Sequence, residues 1–452
     1  MKLTDLKLIT NTHKSLHIET YGCQMNTVDS ELVVSIMKDH GYSYCDRSED
    51  ADIILINTCS IRDNAEQRIW GRLNELKGMK RKRRGIIVGV IGCMAERLKD
   101  ELLENGKVVD IVVGPDGYRS LPQLVAAATK GQRGVNVLLS GEETYGEISP
   151  VRLDENGISA YVAIMRGCNN MCSYCVVPYT RGKERSRSPH TILDEVRELI
   201  TDGYKEVYLL GQNVNSYFWN DESGEVSFPE LMRRVAALSP NLRVRFSTSH
   251  PKDISDELIE VIASHKNICK SIHLPVQSGS SRILKLMNRK YDRKWYLERI
   301  DAIRKLIPDC SITTDIIAGF CSETNEDHEQ TISLMRQVGY EFAYMFKFSD
   351  RPGTKAHRSM ADDVTEQEKT RRLTEIVALQ GELSLISNKK DIGKVFEVLV
   401  EGVSKRSKDQ MHGHTSQNKV VVFPAQNSKA GDYVMVEIND CSSATLKGVI
   451  KS

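Results

Sequence analysis

The sequence lacks any long apolar run. Its first ten residues alternate polar and apolar side chains, without the apolar region of a signal peptide, and no later stretch is long enough to cross a bilayer. These absences predict a cytoplasmic protein with no membrane segment, in a compartment where thiols stay reduced. The eleven cysteines therefore favour metal or redox chemistry over disulfides.

A net excess of charge is also missing. The chain has 62 Lys and Arg against 61 Asp and Glu, so any attraction to nucleic acid must come from local basic patches. Internal repeats, low-complexity segments and a flavin or nicotinamide signature are absent as well. With 452 residues, 40% of them hydrophobic and 27% charged, the composition predicts a soluble globular protein of two or three domains.

The apolar runs divide this α/β chain into successive parts. Strands alternate with helices over residues 14–135, which predicts a doubly wound parallel sheet, and residues 136–153 are typical of a linker. Six further strand–helix units over residues 154–386 cannot close the usual eight-stranded barrel, so they predict an open, partial (β/α)6 barrel. Short β-like runs over residues 389–452 predict a small β-barrel of the oligonucleotide-binding type.

Three cysteines, Cys168, Cys172 and Cys175, lie within eight residues. They begin where the predicted strand Ala160–Arg166 ends, which on such a barrel is the catalytic rim. Closely spaced cysteines let one loop hold an iron–sulfur cluster, and without a fourth cysteine nearby one iron would remain open to an outside ligand. The alternative is a zinc site completed by His190 or a distant cysteine.

A second set of three cysteines, Cys23, Cys59 and Cys93, is spread along the first part of the chain. Each of them follows one predicted strand. Because the carboxyl ends of parallel strands share one edge, the three thiols can converge there, and they predict a second cluster. Taken singly, each could instead be a small buried apolar residue. No ligation spacing is found for the other five cysteines: Cys45, Cys269, Cys310, Cys321 and Cys441.

Several motifs resemble those of the radical S-adenosylmethionine (SAM) methylthiotransferases, and the similarity covers almost the full chain. Tyr174, just before the third clustered cysteine, is typical of the radical SAM superfamily. Gln24-Met25 and the segment Val176–Gly182 resemble the members that act on N6-dimethylallyladenosine in tRNA. The remaining matching segments are Thr20–Asn26, Asn57–Arg62, Gly92–Ala95, Leu274–Gly279 and Ser349–Thr354.

The resemblance implies a methylthiotransferase domain, a radical SAM core and a C-terminal TRAM domain. It implies two [4Fe-4S] clusters, one binding SAM and one auxiliary, that together add a methylthio group to C2 of N6-(dimethylallyl)adenosine at position 37 of tRNA. The SAM bound to the first cluster would yield a 5′-deoxyadenosyl radical. Expected partners are a tRNA anticodon stem-loop and an electron donor such as flavodoxin or ferredoxin, and the chain is expected to be monomeric.

The resemblance also implies roles for single residues, although no side chain is assigned as a catalytic group. SAM contacts are expected from Tyr174, Gly211, Gln212, Asn213, Gln277 and Gly319. RNA contacts are expected from Arg181, Arg185, Lys405 and Arg406, which lie in basic segments that suit phosphate binding.

Two positions leave questions. Cys321-Ser322 stands where the family usually has Pro-Gly, and Asp315 lies inside an apolar strand, so its carboxylate must be paired or face a ligand. Three other functions remain open: methylthiolation of threonylcarbamoyladenosine in tRNA, methylthiolation of ribosomal protein S12, and zinc-dependent RNA binding without catalysis.

Overall fold

The structure is a computed structural model that describes residues 14–59, 63–104, 108–154, 156–222 and 224–451. Ser60, Ile61 and Arg62 of the motif Asn57–Arg62, and the N-terminal residues used above to exclude a signal peptide, lie outside the described residues. The chain divides into two compact units, one ending at Leu153 and one beginning at Asp154. None of the described helices is long and apolar enough to cross a membrane.

The first unit is built on a six-stranded parallel sheet in the order β2-β1-β3-β4-β5-β6. Its strands are β1 (Ser15–Tyr21), β2 (Ser43–Tyr44), β3 (Ile53–Thr58), β4 (Ile87–Gly92), β5 (Ile111–Val113) and β6 (Gly134–Asn136). Its helices are α1 (Gln24–Asp39), α2 (Asp63–Lys82), α3 (Cys93–Arg97), α4 (Lys99–Glu104) and α5 (Leu121–Thr129).

Both faces of this sheet are covered, which confirms the doubly wound prediction. Ile53 and Leu55 of β3 pack in one apolar cluster with α1 and α5, and Ile54 and Ile56 pack in another with α2. Strand order reverses between β1 and β3, so the crevice at their carboxyl ends is the expected ligand site of such a fold.

The segment expected to be a linker does more than connect. Within residues 136–153, Tyr145 is buried, its hydroxyl donates to the Pro115 carbonyl at 3.1 Å, and Ile148 and Val151 pack on the same apolar cluster. These contacts attach the segment to the first unit.

The second unit begins with the partial barrel. Its strands are β7 (Ser159–Ala163), β8 (Met165–Arg166), β9 (Arg185–Ser186), β10 (Glu206–Leu210), β11 (Phe218–Asp221), β12 (Gly224–Ser227), β13 (Arg243–Ser247), β14 (Ser271–His273), β15 (Ser311–Ala318) and β16 (Phe342–Lys347). Its helices are α6 (Val177–Arg181), α7 (Pro189–Thr201), α8 (Phe228–Ala237), α9 (Asp256–Ser264), α10 (Ser281–Leu286), α11 (Arg293–Leu306), α12 (Asn325–Val338), α13 (Lys355–Ser359) and α14 (Glu366–Lys389).

Six of these strands form two parallel ladders, β7-β10-β13 and β14-β15-β16. A bridge between Val244 and Ile268 connects the two ladders, and no pairing joins β7 to β16 among the described residues. Alternation along the strands separates an outer face, packed under the helices, from an inner face that lines the lumen: Ile312 and Ile316 lie in the outer core, while Thr313 and Asp315 are half-buried. The open partial barrel is therefore confirmed.

A closed five-stranded barrel ends the chain, as expected for the C-terminal part. Its strands are β17 (Val395–Val403), β18 (Gln410–Thr415), β19 (Val420–Pro424), β20 (Tyr433–Cys441) and β21 (Leu446–Ile450). It meets the amino-terminal end of the partial barrel, where Arg243 donates to the His414 carbonyl at 2.7 Å and Arg245 to the Thr415 carbonyl at 2.7 Å. Arg245 also pairs with the buried Glu206 at 2.5 Å.

Candidate cluster sites and their surroundings

The loop with Cys168, Cys172 and Cys175 follows β8 and is fixed by backbone contacts. The Cys168 N–H donates to the Gly182 carbonyl at 3.2 Å, and the Ser173 N–H donates to the Met287 carbonyl at 3.0 Å. A Cβ at Gly167 would lie 2.0 Å from the Lys183 carbonyl oxygen, so no other residue fits there. The neighbouring backbone thus holds the three-cysteine segment in place before any ligand arrives.

Burial raises the pKa of the Cys168 thiol to about 11 and that of Cys175 to about 12. Cationic groups must therefore favour the thiolates for metal binding at neutral pH. Arg289 supplies one such group: its Nη1 donates to Cys172 Sγ at 3.3 Å and to the Tyr174 hydroxyl at 3.5 Å. Sequence reasoning missed Arg289, because it lies far along the chain from the loop that it contacts.

The donor set fits a cluster better than a single ion. The loop offers three cysteine sulfurs with the Arg289 guanidinium beside one of them, whereas a tetrahedral zinc needs four ligands converging on one point. Among the described residues, no group of three or more His, Cys, Asp or Glu side chains is close enough to hold one metal ion. His190, the sequence alternative for a fourth zinc ligand, is exposed on α7.

Polar side chains without protein partners lie beyond the ends of neighbouring barrel strands. Gln212 Oε1 follows β10 and, among the described residues, is buried with no hydrogen-bond partner. Two groups that the sequence reasoning missed share this property, namely both amide atoms of Asn215 and the Ser249 hydroxyl beyond β13. Buried polar atoms of this kind are normally satisfied, so these atoms could hydrogen-bond a polar ligand.

Other residues expected to contact SAM also follow barrel strands, Gly211 and Asn213 after β10 and Gly319 after β15. The amide of Asn213 is already used: its Nδ2 donates to Asp253 at 2.8 Å and its Oδ1 accepts from the His250 N–H at 3.0 Å. Gly211 has no room for a Cβ, which would lie 2.4 Å from Met165 Cγ. At Gly319, with φ of +73°, a Cβ would lie 2.3 Å from a side-chain carbon of Lys369.

Gln277 has a strained backbone conformation, and the Tyr174 ring packs against Phe320. Gln277 has a φ of 72°, and its N–H donates to the Asp315 carbonyl at 2.9 Å. Such a conformation in a non-glycine residue is often associated with a functional site. The Tyr174 ring lies edge-on against Phe320 at 6.5 Å, and burial raises the pKa of its hydroxyl well above the usual value.

The second trio is assembled from three adjacent strands of the first unit. Tyr21 pairs with Thr58 and Thr58 pairs with Gly92, so Cys59 and Cys93 follow residues in direct register. Neighbouring strands lie about 4.8 Å apart, so the three strand ends span a width on the scale of one cluster. They also lie at or next to the point where strand order reverses.

A buried amide network ties these strand ends together. Asn26 Nδ2 donates to Asn57 Oδ1 at 3.0 Å and to the Thr58 carbonyl at 3.2 Å. Its Oδ1 accepts from the Cys23 N–H at 3.2 Å. Asn57 donates in turn to the Asn26 carbonyl at 2.7 Å and to Ser30 Oγ at 2.9 Å. Both asparagines lie in the recognised motifs, yet the sequence alone gave them no role.

Close approach around the second trio requires two glycines. A Cβ at Gly22 would lie 2.7 Å from Cys59 Cβ, and one at Gly92 would lie 2.6 Å from Asn57 Oδ1. Cys23 is exposed, whereas Cys59 and Cys93 are buried. The arrangement therefore presents one thiol to the outside and keeps two within the edge of the sheet.

A buried carboxyl group lies one helical turn after Cys93. Burial and the nearby Asp116 raise the pKa of Glu96 to about 7, and its Oε2 has no hydrogen-bond partner among the described residues. Burial thus favours the neutral form of this carboxyl group.

The residues expected to contact RNA differ in exposure. Arg181 and Arg185 are only 3% and 7% exposed, which leaves little surface for a phosphate. Lys405 and Arg406 are both exposed on the β17–β18 turn of the small barrel. Exposure thus favours Lys405 and Arg406, not the two arginines before them, as RNA contacts.

The two questions left by the sequence have structural answers. Asp315 is paired, with its Oδ1 3.4 Å from His273 Nε2. Ser322 adopts a φ of 61°, which suits the family's glycine, and Asp363 accepts its N–H at 2.6 Å. Cys321 is buried, which raises its pKa to about 11 and disfavours a reactive thiolate.

Comparison with family models matches three consecutive segments. Residues 15–114 match a family described as uncharacterized protein family UPF0004. Residues 162–335 match the radical SAM superfamily, and residues 389–451 match the TRAM domain.

Two relatives that match over nearly the full length carry the same name. The tRNA-2-methylthio-N(6)-dimethylallyladenosine synthase of Phocaeicola vulgatus is 59% identical over 446 residues, covering 98% of each chain. The synthase of the same name from Parabacteroides distasonis is 56% identical over 445 residues, covering 98% of this chain and 97% of the relative.

Solved structures show a similar fold at low identity. The radical SAM methyltransferase TsrM of Kitasatospora setae, with cobalamin and a [4Fe-4S] cluster bound, has a TM-score of 0.56 at 13% identity, covering 76% of this chain and 74% of TsrM. The cobalamin-dependent SAM radical enzyme OxsB has a TM-score of 0.53 at 11% identity, covering 81% of this chain and 56% of OxsB.

Proposed function

The chain belongs to the tRNA-2-methylthio-N(6)-dimethylallyladenosine synthases, and we propose on this basis that it replaces the C2 hydrogen of N6-(dimethylallyl)adenosine at position 37 of tRNA with a methylthio group. It is a radical SAM enzyme of the methylthiotransferase type. The observation that carries the finer proposal is the presence of two separate cysteine trios, one in a single loop and one at three adjacent strand ends.

Cys168, Cys172 and Cys175 would hold the SAM-binding [4Fe-4S] cluster, and Cys23, Cys59 and Cys93 the auxiliary one. When bound, the clusters would supply an electron and sulfur, and SAM would supply the methyl group and the carbon radical that removes the hydrogen. Arg289 stabilises negative charge on the Cys172 sulfur. Asn26 and Asn57 would fix the strand ends that carry the sulfur ligands.

The orphan polar atoms of Gln212, Asn215 and Ser249 would bind the polar groups of SAM, beside Tyr174, Gly211, Gln277 and Gly319. Asn213 would act indirectly, because its amide already holds the loops around Asp253 and His250. The test is SAM affinity by calorimetry in Asn215→Ala. Weakened binding supports this assignment, and unchanged binding contradicts it.

Lys405 and Arg406 of the TRAM domain would bind RNA phosphates. Each phosphate contact contributes a slope of about 0.7 to 0.9 to the dependence of log affinity on log salt concentration. Replacing both residues with glutamine should therefore reduce that slope by about one to two, and an unchanged slope would remove them from the RNA-binding surface. The electron donor is proposed to be a small flavodoxin or ferredoxin, and the chain to act as a monomer in the cytoplasm.

The decisive experiment is anaerobic reconstitution followed by reaction with SAM, a reductant and a stem-loop RNA carrying N6-(dimethylallyl)adenosine. Mass spectrometry of the digested nucleosides should show a methylthio group in place of one hydrogen. Parallel reactions contain RNA with threonylcarbamoyladenosine, or ribosomal protein S12. Modification of either of these, with the first RNA unchanged, would contradict the proposal.

A further inference from the structure

Three aromatic side chains on the last barrel strand remain exposed although they face inward. Phe342, Tyr344 and Phe346 alternate along β16 and are 47%, 48% and 37% exposed. Ala343, between the first two, lies in the outer core under the helices. The three rings, here termed the aromatic strip, therefore project from the lumen face of the strand at the open side of the partial barrel.

The aromatic strip is ordered and backed by polar groups. The rings of Phe342 and Tyr344 lie 5.0 Å apart, and the Tyr344 ring meets the His273 ring at 5.7 Å, both nearly edge to face. His273 Nδ1 lies 2.9 Å from Thr313 Oγ1, and its Nε2 lies 3.4 Å from Asp315 Oδ1. These contacts fix the Phe342 and Tyr344 rings, and about half of each side chain remains exposed to a ligand.

Asp315 places an acceptor beside this surface. A carboxylate has about four acceptor sites, and His273 occupies one of them, so Asp315 can still accept an N–H from a ligand. Asp315 pairs with Tyr344 in the β15–β16 ladder, and its carbonyl accepts from Gln277, one of the residues proposed to contact SAM. The acceptor and the aromatic strip therefore share one surface next to the proposed SAM site.

Exposed rings beside one carboxylate match the chemistry of a flipped adenine better than that of a phosphate, which a carboxylate repels. Unstacked RNA bases stack on aromatic side chains, and such stacking is tolerant of base identity, whereas hydrogen bonds to base edges discriminate. We propose that the aromatic strip stacks the target adenine of the RNA, and that Asp315 accepts the N–H of its N6 substituent. The inference rests on the proposed function and deepens it.

The test uses a stem-loop RNA in which the fluorescent base 2-aminopurine replaces the target adenosine, mixed with the full-length chain. Stacking on a ring quenches this fluorescence. Wild type and Tyr344→Phe should quench it, and Tyr344→Leu should lose the quenching and bind the RNA about fivefold or more weakly. Phe218→Leu, which removes an equally exposed ring on the β11–β12 hairpin, is the control and should behave as wild type.

Asp315 is tested by the selectivity between RNAs carrying adenosine or purine riboside, which lacks the exocyclic amine, at the target position. Wild type should prefer adenosine, and Asp315→Ala should bind both equally. Retained quenching in Tyr344→Leu, or retained selectivity in Asp315→Ala, overturns the inference. If wild-type enzyme still methylthiolates its RNA in that case, the proposed function stands and only this site assignment fails.

Discussion

The two cysteine trios are assembled by the chain in opposite ways. In the second unit, Cys168, Cys172 and Cys175 lie in one short loop, held by backbone hydrogen bonds to Gly182 and Met287. In the first unit, the three thiols come from separate strand ends, and a buried asparagine pair ties those ends together. The loop trio depends on local chain geometry, whereas the strand-end trio exists only once the whole sheet has formed.

Charge differs between the two sites as well. The loop trio has the Arg289 guanidinium on one sulfur, whereas the strand-end trio has the buried Glu96 carboxyl one turn from Cys93. A cation next to sulfur favours the more negative, reduced cluster. This contrast suits one site for receiving an electron and the other for a different task, such as holding sulfur.

The largest expected effect separates the tasks of the two trios. Cys168→Ala should abolish both SAM cleavage and the methylthio product. Cys23→Ala should abolish the product but leave reductive SAM cleavage intact, because the loop trio does not contain Cys23. Chromatography of 5′-deoxyadenosine and of digested nucleosides measures both outcomes. Loss of SAM cleavage in Cys23→Ala would show that the two trios are not independent.

Removing the hydrogen bonds between the Asn26 and Asn57 side chains should weaken iron binding only at the strand-end trio. Asn26→Ala removes the donor to the buried Asn57 Oδ1 and the acceptor of the Cys23 N–H, at a cost of about 2–3 kcal/mol. Iron should then be lost to a chelator much faster than from the parent, measured in a Cys168/Cys172/Cys175→Ala background. Asn74→Ala, an exposed position on α2, is the control. Equal rates of iron release in Asn26→Ala and in this control would show that Asn26 does not support iron binding at the strand-end trio.

Arg289 should set the potential of the loop-held cluster. Replacing it with methionine removes a positive donor to the Cys172 sulfur, so the midpoint potential should fall by something on the order of tens of millivolts. Arg289→Lys should fall less, because a positive charge remains. Electron paramagnetic resonance titration of a Cys23/Cys59/Cys93→Ala background gives the value, with the exposed Lys290→Met as control. A potential unchanged by both substitutions at Arg289 would contradict this role.

The smallest effect concerns Glu96. Because its folded pKa is raised from 4.5 to about 7, its neutral form stabilises the fold at acid pH, and that stability is lost as the pH rises through about 7. Glu96→Gln lacks this titration, so its stability relative to wild type should grow between about pH 4.5 and pH 7, by about 1 kcal/mol after allowance for solvent, seen as a growing difference in melting temperature. A difference in melting temperature between Glu96→Gln and wild type that stays constant across that range would show that burial does not raise the pKa of Glu96.

How much of the fold the sequence predicts differs from strand to strand. The sequence of residues Ser311–Ala318 predicts a strand, and β15 is observed with those bounds. The strands β2 and β6 were missed, since two or three residues carry no periodicity and form only as additions to a sheet. The sequence of residues Ser271–Gln277 also predicts a strand, but β14 ends at His273, before a segment in which Gln277 takes a positive φ.

For the site, cysteine spacing was enough to find the loop trio, and strand-end positions were enough to suggest the other. Arg289, Asn26 and Asn57 were not recognised, because their contacts join segments that only the folded chain brings together. The burial of Arg181 and Arg185 could not be foreseen either, since a basic segment after a loop gives no sign of the walls around it.

The most direct test of the central claim is an iron and sulfide count on anaerobically reconstituted protein. Wild type should hold about eight irons, and two triple variants, Cys23/Cys59/Cys93→Ala and Cys168/Cys172/Cys175→Ala, should each hold about four. A count of about four in the wild type, with none lost in the first variant, would show that the strand-end thiols hold no cluster.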